Sequence, residues 1–215
     1  MKVGVIGSGD VGRRLGQGFA SKGHDVKLGT RDPKKKEVQQ WLKETPGKVS
    51  TGSFSEAAAH GEVVLLCTLG TATEAALELA GEKNLAGKVL IDVTNPLDFS
   101  KGMPPGLFVG TTDSLGERIQ RKLPGARVVK CFNIVPNPTM TQPRLKEGNV
   151  TMIIAGNDAG AKKKVGEILA GFGWEAPIDI GGIEGARWLE AMTALWVRVA
   201  QSTGSWTTAF RFLRQ

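Results

Sequence analysis

The feature that most constrains how this chain can fold is a glycine turn near its amino terminus. The pattern G-x-G-x-x-G is carried by Gly7, Ser8, Gly9, Asp10, Val11 and Gly12. The turn directly follows the apolar residues 3–6, which predict a strand. It precedes residues 11–19, where apolar side chains recur at four-residue spacing, as on one face of a helix. A strand, a glycine turn and a helix in this order predict a Rossmann unit that binds a dinucleotide through these six residues.

Each glycine has a separate purpose in such a turn. Gly7 permits the tight bend, Gly9 lets the backbone approach a pyrophosphate, and Gly12 allows the helix to pack closely on the strand. We expect the pyrophosphate to lie against unpaired N–H groups at the amino terminus of the helix. The alternative is a glycine-rich turn that binds no ligand.

Short β-branched segments alternate with helix-forming segments along most of the chain. The predicted strands lie at residues 3–6, 26–28, 63–68, 89–93, 128–132 and 151–155, with weaker ones near 49 and 178–180. This alternation is typical of repeated βαβ units and a parallel sheet. We therefore predict the α/β class, with a doubly wound, mainly parallel Rossmann sheet. The predicted NADP-binding domain spans residues 1–183, and a small C-terminal helical extension spans residues 184–215.

Composition restricts the classes of function that are open to the chain. Its 215 residues suit one globular core, and no apolar run approaches the roughly 20 residues that span a bilayer. We therefore expect no membrane contact and a cytoplasmic location. The formal charge of +7 is not accompanied by a known nucleic-acid-binding motif, so we do not expect the chain to bind nucleic acid. We expect instead that its positive field attracts a small polyanion. Cys67 and Cys131 have no histidine nearby in sequence, so we predict no metal site and no thiol nucleophile.

The end of the second predicted strand indicates which dinucleotide is bound. Rossmann folds specific for NAD usually place an acidic residue there, whereas this strand ends in Thr30 and Arg31. A hydroxyl and a guanidinium suit a 2′-phosphate. Asp32 is better explained as the N-cap of a helix that starts at Asp32-Pro33, and Lys35 in its first turn is a further cofactor candidate. The sequence therefore predicts NADP(H) rather than NAD(H).

Three further strand exits are expected to line the crevice, because open α/β sheets bind ligands beyond the carboxyl ends of their strands. Their candidate residues are Thr68, Leu69, Thr94, Asn95, Pro96 and Asn133. An asparagine at such an exit can hold a carboxamide through a donor and an acceptor, although simple turn formation is the alternative. We predict cofactor contacts for these exits, with Thr94, Asn95 and Asn133 aligning the reacting rings.

Side chains for proton transfer are scarce. His24 and His60 precede predicted strands, so we expect them at the edge of the sheet opposite the crevice. Lys130 lies in an apolar strand near the crevice and is the remaining candidate, with a salt bridge or snorkelling as its alternative role. The absence of tyrosine excludes short-chain dehydrogenases. We therefore predict direct hydride transfer between the nicotinamide and a second ring-shaped cofactor.

Six segments carry a resemblance to a known family. They are residues 6–12 (IGSGDVG), 28–33 (LGTRDP), 92–97 (DVTNPL), 109–116 (VGTTDSLG), 128–133 (VVKCFN) and 186–190 (ARWLE). With them the chain resembles the NADP-dependent coenzyme F420 reductases and their bacterial relatives, and it is also similar to the cytosolic heads of the STEAP metalloreductases. The first segment is shared by many dehydrogenases, whereas the later ones are far more specific.

The resemblance implies a pyrophosphate on the first segment, a 2′-phosphate on Thr30 and Arg31, a C-terminal helical part and a homodimer. The expected function is hydride transfer between NADP(H) and a small-molecule partner, either deazaflavin F420 or a flavin. A non-enzymatic NADP(H)-binding sensor or partner protein is the alternative. The apolar side chains of residues 184–200 and of the aromatic tail also favour a dimer, because exposing so much apolar surface to water is unfavourable.

Overall fold

Strands and helices alternate along the chain in a computed structural model, which describes residues 1–146 and 148–213. The strands are β1 (Lys2–Ile6), β2 (Asp25–Gly29), β3 (Val49–Gly52), β4 (Val63–Leu66), β5 (Val89–Asp92), β6 (Leu97–Asp98), β7 (Gly106–Leu107), β8 (Arg127–Lys130), β9 (Arg144–Leu145), β10 (Gly148–Asn149), β11 (Ile153–Gly156) and β12 (Ile178–Asp179). The α-helices are α1 (Asp10–Ser21), α2 (Lys36–Glu44), α3 (Phe54–His60), α4 (Thr73–Ala80), α5 (Glu82–Leu85), α6 (Leu115–Lys122), α7 (Ala159–Phe172) and α8 (Ala186–Thr203).

The central sheet has eight strands in the order β12-β11-β8-β5-β4-β1-β2-β3. Its neighbouring strands are parallel except β11 and β8, which pair antiparallel. The strand order reverses at β1, which lies between β2 and β4. The predicted doubly wound, mainly parallel sheet is therefore confirmed, and the reversal sets the place where such folds bind ligands.

Continuous apolar strands supply a hydrophobic core on both faces of the sheet. In β4, Val63 and Leu65 belong to one buried cluster, whereas Val64 and Leu66 belong to the other. Helices α1 and α7 cover the first cluster, and helices α3, α4 and α6 cover the second. The sheet is therefore buried on both sides, which is why its strands lack the alternation of an exposed sheet.

Several strands start or end one or two residues from their predicted bounds, and two of the differences between prediction and structure bear on the site. The helix predicted from Asp32-Pro33 begins only at Lys36, because the Asp32 carboxylate accepts the N–H of Lys34 and closes a turn instead of capping a helix. The strand predicted to reach residue 132 ends at Lys130. Phe132 then adopts a φ of 66°, which an extended strand does not allow, and turns the chain at the carboxyl end of β8.

Helix α8 and the tail form the C-terminal part. Leu189 and Glu190 are buried against the rest of the chain, whereas Trp188 and Leu195 on the same helix are 60% and 53% exposed. The predicted boundary after residue 183 stays a prediction, and the last two residues of the predicted extension, 214 and 215, lie outside the described part. Within the described ranges, no helix combines the length and the apolar character needed to cross a membrane.

Candidate active site

A cleft of about 630 Å³ opens at the carboxyl ends of β1, β2, β4 and β5. The predicted cofactor residues in its lining are Gly7, Ser8, Gly9, Asp10, Val11, Thr30, Arg31, Lys35, Thr68 and Leu69. Residues from four separate predicted segments therefore meet in one cavity. The remaining predicted cofactor residues are outside the lining: Gly12 lies beneath the turn, and Asn95, Pro96 and Asn133 lie beyond one end of the cleft.

The glycine turn leaves its outer surface open. Gly7 has a φ of +114°, and a Cβ there would lie 2.5 Å from the carbonyl oxygen of Cys67. A Cβ on Gly12 would overlap the carbonyl oxygen of Gly7, so this glycine permits the close approach of α1 to β1. A Cβ on Gly9, in contrast, would meet no atom within 4 Å. The free space above Gly9 is where a pyrophosphate would fit against the backbone.

Helix α1 presents an uncapped amino terminus to this space. It starts at Asp10, and its N-cap residue Gly9 supplies no side-chain hydrogen bond. The first N–H groups of a helix have no partner within the helix and carry partial positive charge, so they favour a bound anion. Arg13 donates to the carbonyl oxygen of Ser8 over 2.7 Å and also pairs with Asp10, which braces the turn from its outer side.

The outer end of the cleft, beyond β2, carries two cations, Arg31 and Lys35, beside the carboxylate of Asp32. The Thr30 hydroxyl is buried and accepts hydrogen bonds from the Ser8 hydroxyl over 3.0 Å and from the backbone N–H of Asp32 over 3.2 Å. Arg31 and Lys35 are exposed in the lining, and within residues 1–146 and 148–213 neither forms a salt bridge. Two solvated cations and a fixed hydroxyl are the groups that a 2′-phosphate needs.

The wall opposite the glycine turn is apolar, and sequence reasoning missed it. It consists of Phe54 at the start of α3, Ala72 in the turn before α4, and Ala75, Ala76 and Leu79 along α4. Val93 closes the inner end. The signal that was available is positional, because each of these segments follows a strand whose carboxyl end faces the crevice. Small alanines on one helix face look like ordinary core packing until the chain is folded.

Beyond the inner end of the cleft, two of the three predicted aligning residues, Asn95 and Asn133, are hydrogen-bonded to each other, whereas the third, Thr94, is buried outside the lining and bonded to Asp92. Asn133 Nδ2 donates to Asn95 Oδ1 over 2.9 Å, and Asn95 Nδ2 donates to the Asn133 carbonyl oxygen over 3.1 Å. From α8, Thr193 donates its hydroxyl to the same carbonyl, and the Leu189 carbonyl accepts from Asn133 Nδ2. Asn133 Oδ1 is buried with no hydrogen-bond partner in the described part of the chain.

Beneath this group lies Lys130, whose side chain is fully buried. Its Nζ donates to Asp92 Oδ2 over 2.9 Å and to Glu190 Oε1 over 2.7 Å. Burial alone would lower the pKa of Lys130, but the two adjoining carboxylates outweigh it and hold that pKa above its usual value. Lys130 is thus a charged structural group in a salt bridge, which was the alternative role considered for it, and it has no free lone pair to act as a base.

The comparisons with known proteins point to one family, although the family model matches only the first part of the chain. The family described as NADP oxidoreductase, coenzyme F420-dependent, matches residues 2–96. The F420-dependent NADP reductase of Methanothermobacter marburgensis is 31% identical over 211 residues, which cover 93% of this chain and 92% of that protein. The chain belongs to the F420-dependent NADP reductase family.

A crystal structure from Arthrobacter sp. FB24, provisionally named an F420-dependent NADP reductase, is 43% identical to this reductase, with a TM-score of 0.95 and 100% of both chains covered. The metalloreductase STEAP3 of Rattus norvegicus is 29% identical over 191 residues, but this chain spans only 36% of its length. The protein is thus an NADP-dependent oxidoreductase, and nothing in these comparisons favours the non-enzymatic alternative.

Neither the histidines nor the thiols are placed or charged for chemistry in the cleft, although Cys67 forms part of its lining. His24 directly precedes β2 and His60 ends α3 before β4, so both lie at the amino edge of the sheet, as predicted. Burial lowers the pKa of His24. Cys67 and Cys131 are buried free thiols, and burial raises the pKa of each far above its usual value, so both stay protonated and unreactive.

We predict that Gly9→Ala weakens NADPH binding by about tenfold or more, while the protein stays folded. The φ of −69° at Gly9 allows alanine, but the new methyl group occupies the open space above the turn. Fluorescence titration with NADPH and a thermal melt measure the two effects. Gly166→Ala in α7, where a Cβ also meets no atom within 4 Å, is the matched control and should leave the affinity unchanged. Unchanged affinity in Gly9→Ala would place the dinucleotide elsewhere.

Proposed function

We propose that this reductase transfers a hydride between NADP(H), seated in the cleft, and a deazaflavin of the F420 type. The observation that carries the proposal is the distribution of charge along the cleft. Its charged lining residues, Asp10, Arg31, Asp32 and Lys35, belong to the glycine turn and to the outer end. The inner end is lined by Cys67, Thr68, Leu69 and Val93, none of which is a proton donor of the usual kind.

This distribution favours an acceptor that needs no proton from the protein. Reduction of a carbonyl requires an acid placed on the oxygen, most often a histidine or a tyrosine. A deazaflavin or flavin ring takes up a hydride at carbon or nitrogen and can take its proton from solvent, so the protein has only to align the two rings. The F420-dependent relatives support the deazaflavin, and a flavin is the other acceptor to be compared.

The dinucleotide, when bound, supplies the hydride from its reduced nicotinamide. In the proposed complex the glycine turn and α1 hold the pyrophosphate, and Thr30, Arg31 and Lys35 hold the 2′-phosphate. Thr94, Asn95 and Asn133 then define the position of the nicotinamide at the inner end. Asn133 is clamped by Asn95 and α8 on its other polar atoms, and its unpartnered Oδ1 is the acceptor proposed for a carboxamide N–H, which would reach this buried atom only after the inner end has opened toward it.

The hairpin of β6 and β7 is the proposed cover for the second ring. It follows β5 directly and pairs Leu97 with Leu107 in antiparallel register. Three apolar side chains in or beside it, Phe99, Met103 and Phe108, are 52%, 51% and 36% exposed. Exposed apolar side chains beside a cleft are suited to contact a flat heterocycle, which buries them and keeps water away from the reacting atoms.

We expect Arg31→Ala to weaken NADPH binding by roughly ten- to a hundredfold and to leave NADH binding nearly unchanged. The guanidinium is needed only for the 2′-phosphate, which NADH lacks. Parallel titrations with the two nucleotides measure the difference. Lys34→Ala removes a neighbouring exposed cation outside the cleft lining and serves as the control. Equal losses for both nucleotides would contradict the assignment of Arg31.

Direct transfer predicts that deuterium from stereospecifically labelled NADPH reaches the deazaflavin or flavin rather than the solvent. Mass spectrometry of the reduced acceptor measures the label, and a comparison of F420, FMN and FAD identifies the preferred ring. The variants His24→Ala and His60→Ala should keep full turnover, because both histidines lie at the opposite edge of the sheet. Label lost to water, or a histidine variant that binds NADPH without turning over, argues against this mechanism.

We also propose a homodimer formed through α8 and the aromatic tail. Four aromatic or aliphatic side chains of this region, Trp188, Leu195, Trp206 and Phe212, are 60%, 53%, 49% and 50% exposed. So much apolar surface in one region is typical of an interface. Light scattering should give twice the chain mass of 22.9 kDa, and Trp188→Glu should shift the protein toward the monomer without changing NADPH affinity. A wild-type monomer at micromolar concentration would rule out this dimer.

A further inference from the structure

The buried charges beneath the inner end of the cleft form a continuous chain of contacts with the predicted aligning residues. Asp92 and Lys130 are direct partners in the register of β5 and β8, and Glu190 reaches them from α8. All three side chains are 2% exposed or less. Contact therefore runs from the C-terminal helix, through Lys130, to the last residue of β5.

Asp92 determines how the next turn of chain is held. Its Oδ1 accepts the backbone N–H of Thr94 over 2.9 Å and the Thr94 hydroxyl over 2.6 Å. Its Oδ2 is occupied by Lys130, so the carboxylate cannot rotate without losing that contact. Because an ionised carboxylate only accepts hydrogen bonds, Thr94 must donate its one hydroxyl proton to it. Thr94 is itself 2% exposed and directly follows Val93, which lines the cleft, so Asp92 fixes the turn of chain behind the inner end.

Glu190 in turn determines where Lys130 lies. Its Oε1 accepts from Lys130 and from the N–H of Gly116, and its Oε2 accepts from the N–H of Leu115. These N–H groups belong to the first turn of α6, so the carboxylate is fixed on two sides and partly neutralised by the helix. One turn further along α8, Thr193 holds the carbonyl oxygen of Asn133. The same helix thus fixes both strand ends at the inner edge.

We propose that Glu190 and Asp92 are positioning residues for hydride transfer. Asp92 holds Thr94 directly, Glu190 acts on Asp92 through Lys130, and together they fix the turn that follows Val93 at the inner end of the cleft. This inference rests on the proposed function, because Thr94 is taken to align the reacting ring. Glu190 and Asp92 touch neither cofactor nor acceptor, so their effect is on geometry. Small displacements of an aligned ring lower the transfer rate strongly and leave the affinity of the distant phosphate groups intact.

Two isosteric variants test the two carboxylates that bind Lys130 one at a time. Glu190→Gln and Asp92→Asn each leave Lys130 with one carboxylate, so a neutral buried pair remains in both. In Asp92→Asn the amide oxygen must face Lys130, which turns the amide NH₂ toward Thr94. The Thr94 N–H then loses its acceptor, and the hydroxyl has to accept where it formerly donated.

The first measurement uses the protein without cofactor. In ¹H–¹⁵N spectra, the Thr94 amide proton should move upfield in both variants, because it loses or weakens its bond to a carboxylate. The second is single-turnover hydride transfer at saturating NADPH, which we expect to fall about tenfold or more in both, while the NADPH dissociation constant stays within about twofold.

Arg187→Gln is the matched control. Arg187 lies on α8 three residues before Glu190 and binds Glu117 of α6 over 2.6 Å, so its loss loosens the same two helices without touching Lys130 or Asp92. It should lower the melting temperature and change neither the Thr94 signal nor the transfer rate. An unmoved Thr94 signal in Glu190→Gln, or an unchanged rate in both carboxylate variants, overturns the proposal. If the wild type transfers no hydride, the proposed function is wrong. The Thr94 signal still tests whether Glu190 acts on Thr94 through Lys130 and Asp92.

Discussion

The ammonium group of Lys130, held between Asp92 and Glu190, is the interaction on which the rest of the active-site region depends. Removing one partner from a buried ion pair typically costs about 3–5 kcal/mol, because an uncompensated charge is left away from water. Here the three groups also belong to β5, β8 and α8, and the third member is tied to the start of α6. One charge cluster therefore locks two strand ends and two helices together.

The two ends of the cleft beside this cluster differ in the chemical groups that they offer to a ligand. In the proposed complex, the exposed cations of the outer end and the uncapped N–H groups of the glycine turn face the phosphates, and both sets of groups stay hydrated without the ligand. The lining residues of the inner end carry no charge, and this end is held in place by the buried charged side chains of Asp92, Lys130 and Glu190. NADPH has the same polarity, with its phosphates toward one end and a reduced nicotinamide ring, which is neutral, at the other. The cleft thus matches the charge distribution of the cofactor along its length.

Local sequence patterns could predict the fold and the outer end of the site. The glycine turn follows its strand directly, and Thr30 and Arg31 follow the next strand, so each needs only a few neighbouring residues to be recognised. The ion cluster could not be found in this way, because Asp92 and Glu190 are 98 positions apart along the chain and meet only after α8 has packed on the sheet. The start of α2 was wrongly predicted, because the same Asp-Pro pair fits both a helix cap and the turn that forms.

Helix α8 connects the proposed homodimer with the proposed positioning role of Glu190. Its inward face carries Glu190 and Thr193, which hold the inner edge of the cleft, and its outward face carries Trp188 and Leu195. If a second copy covers the outward face, it restrains the same helix that positions the strand ends. Because a rigid element transmits a displacement from one face to the other, association would then limit the motion of Thr94 and Asn133. In the proposed mechanism the protein supplies no proton and only aligns the two rings, so such a site gains more from this restraint than one with a general acid.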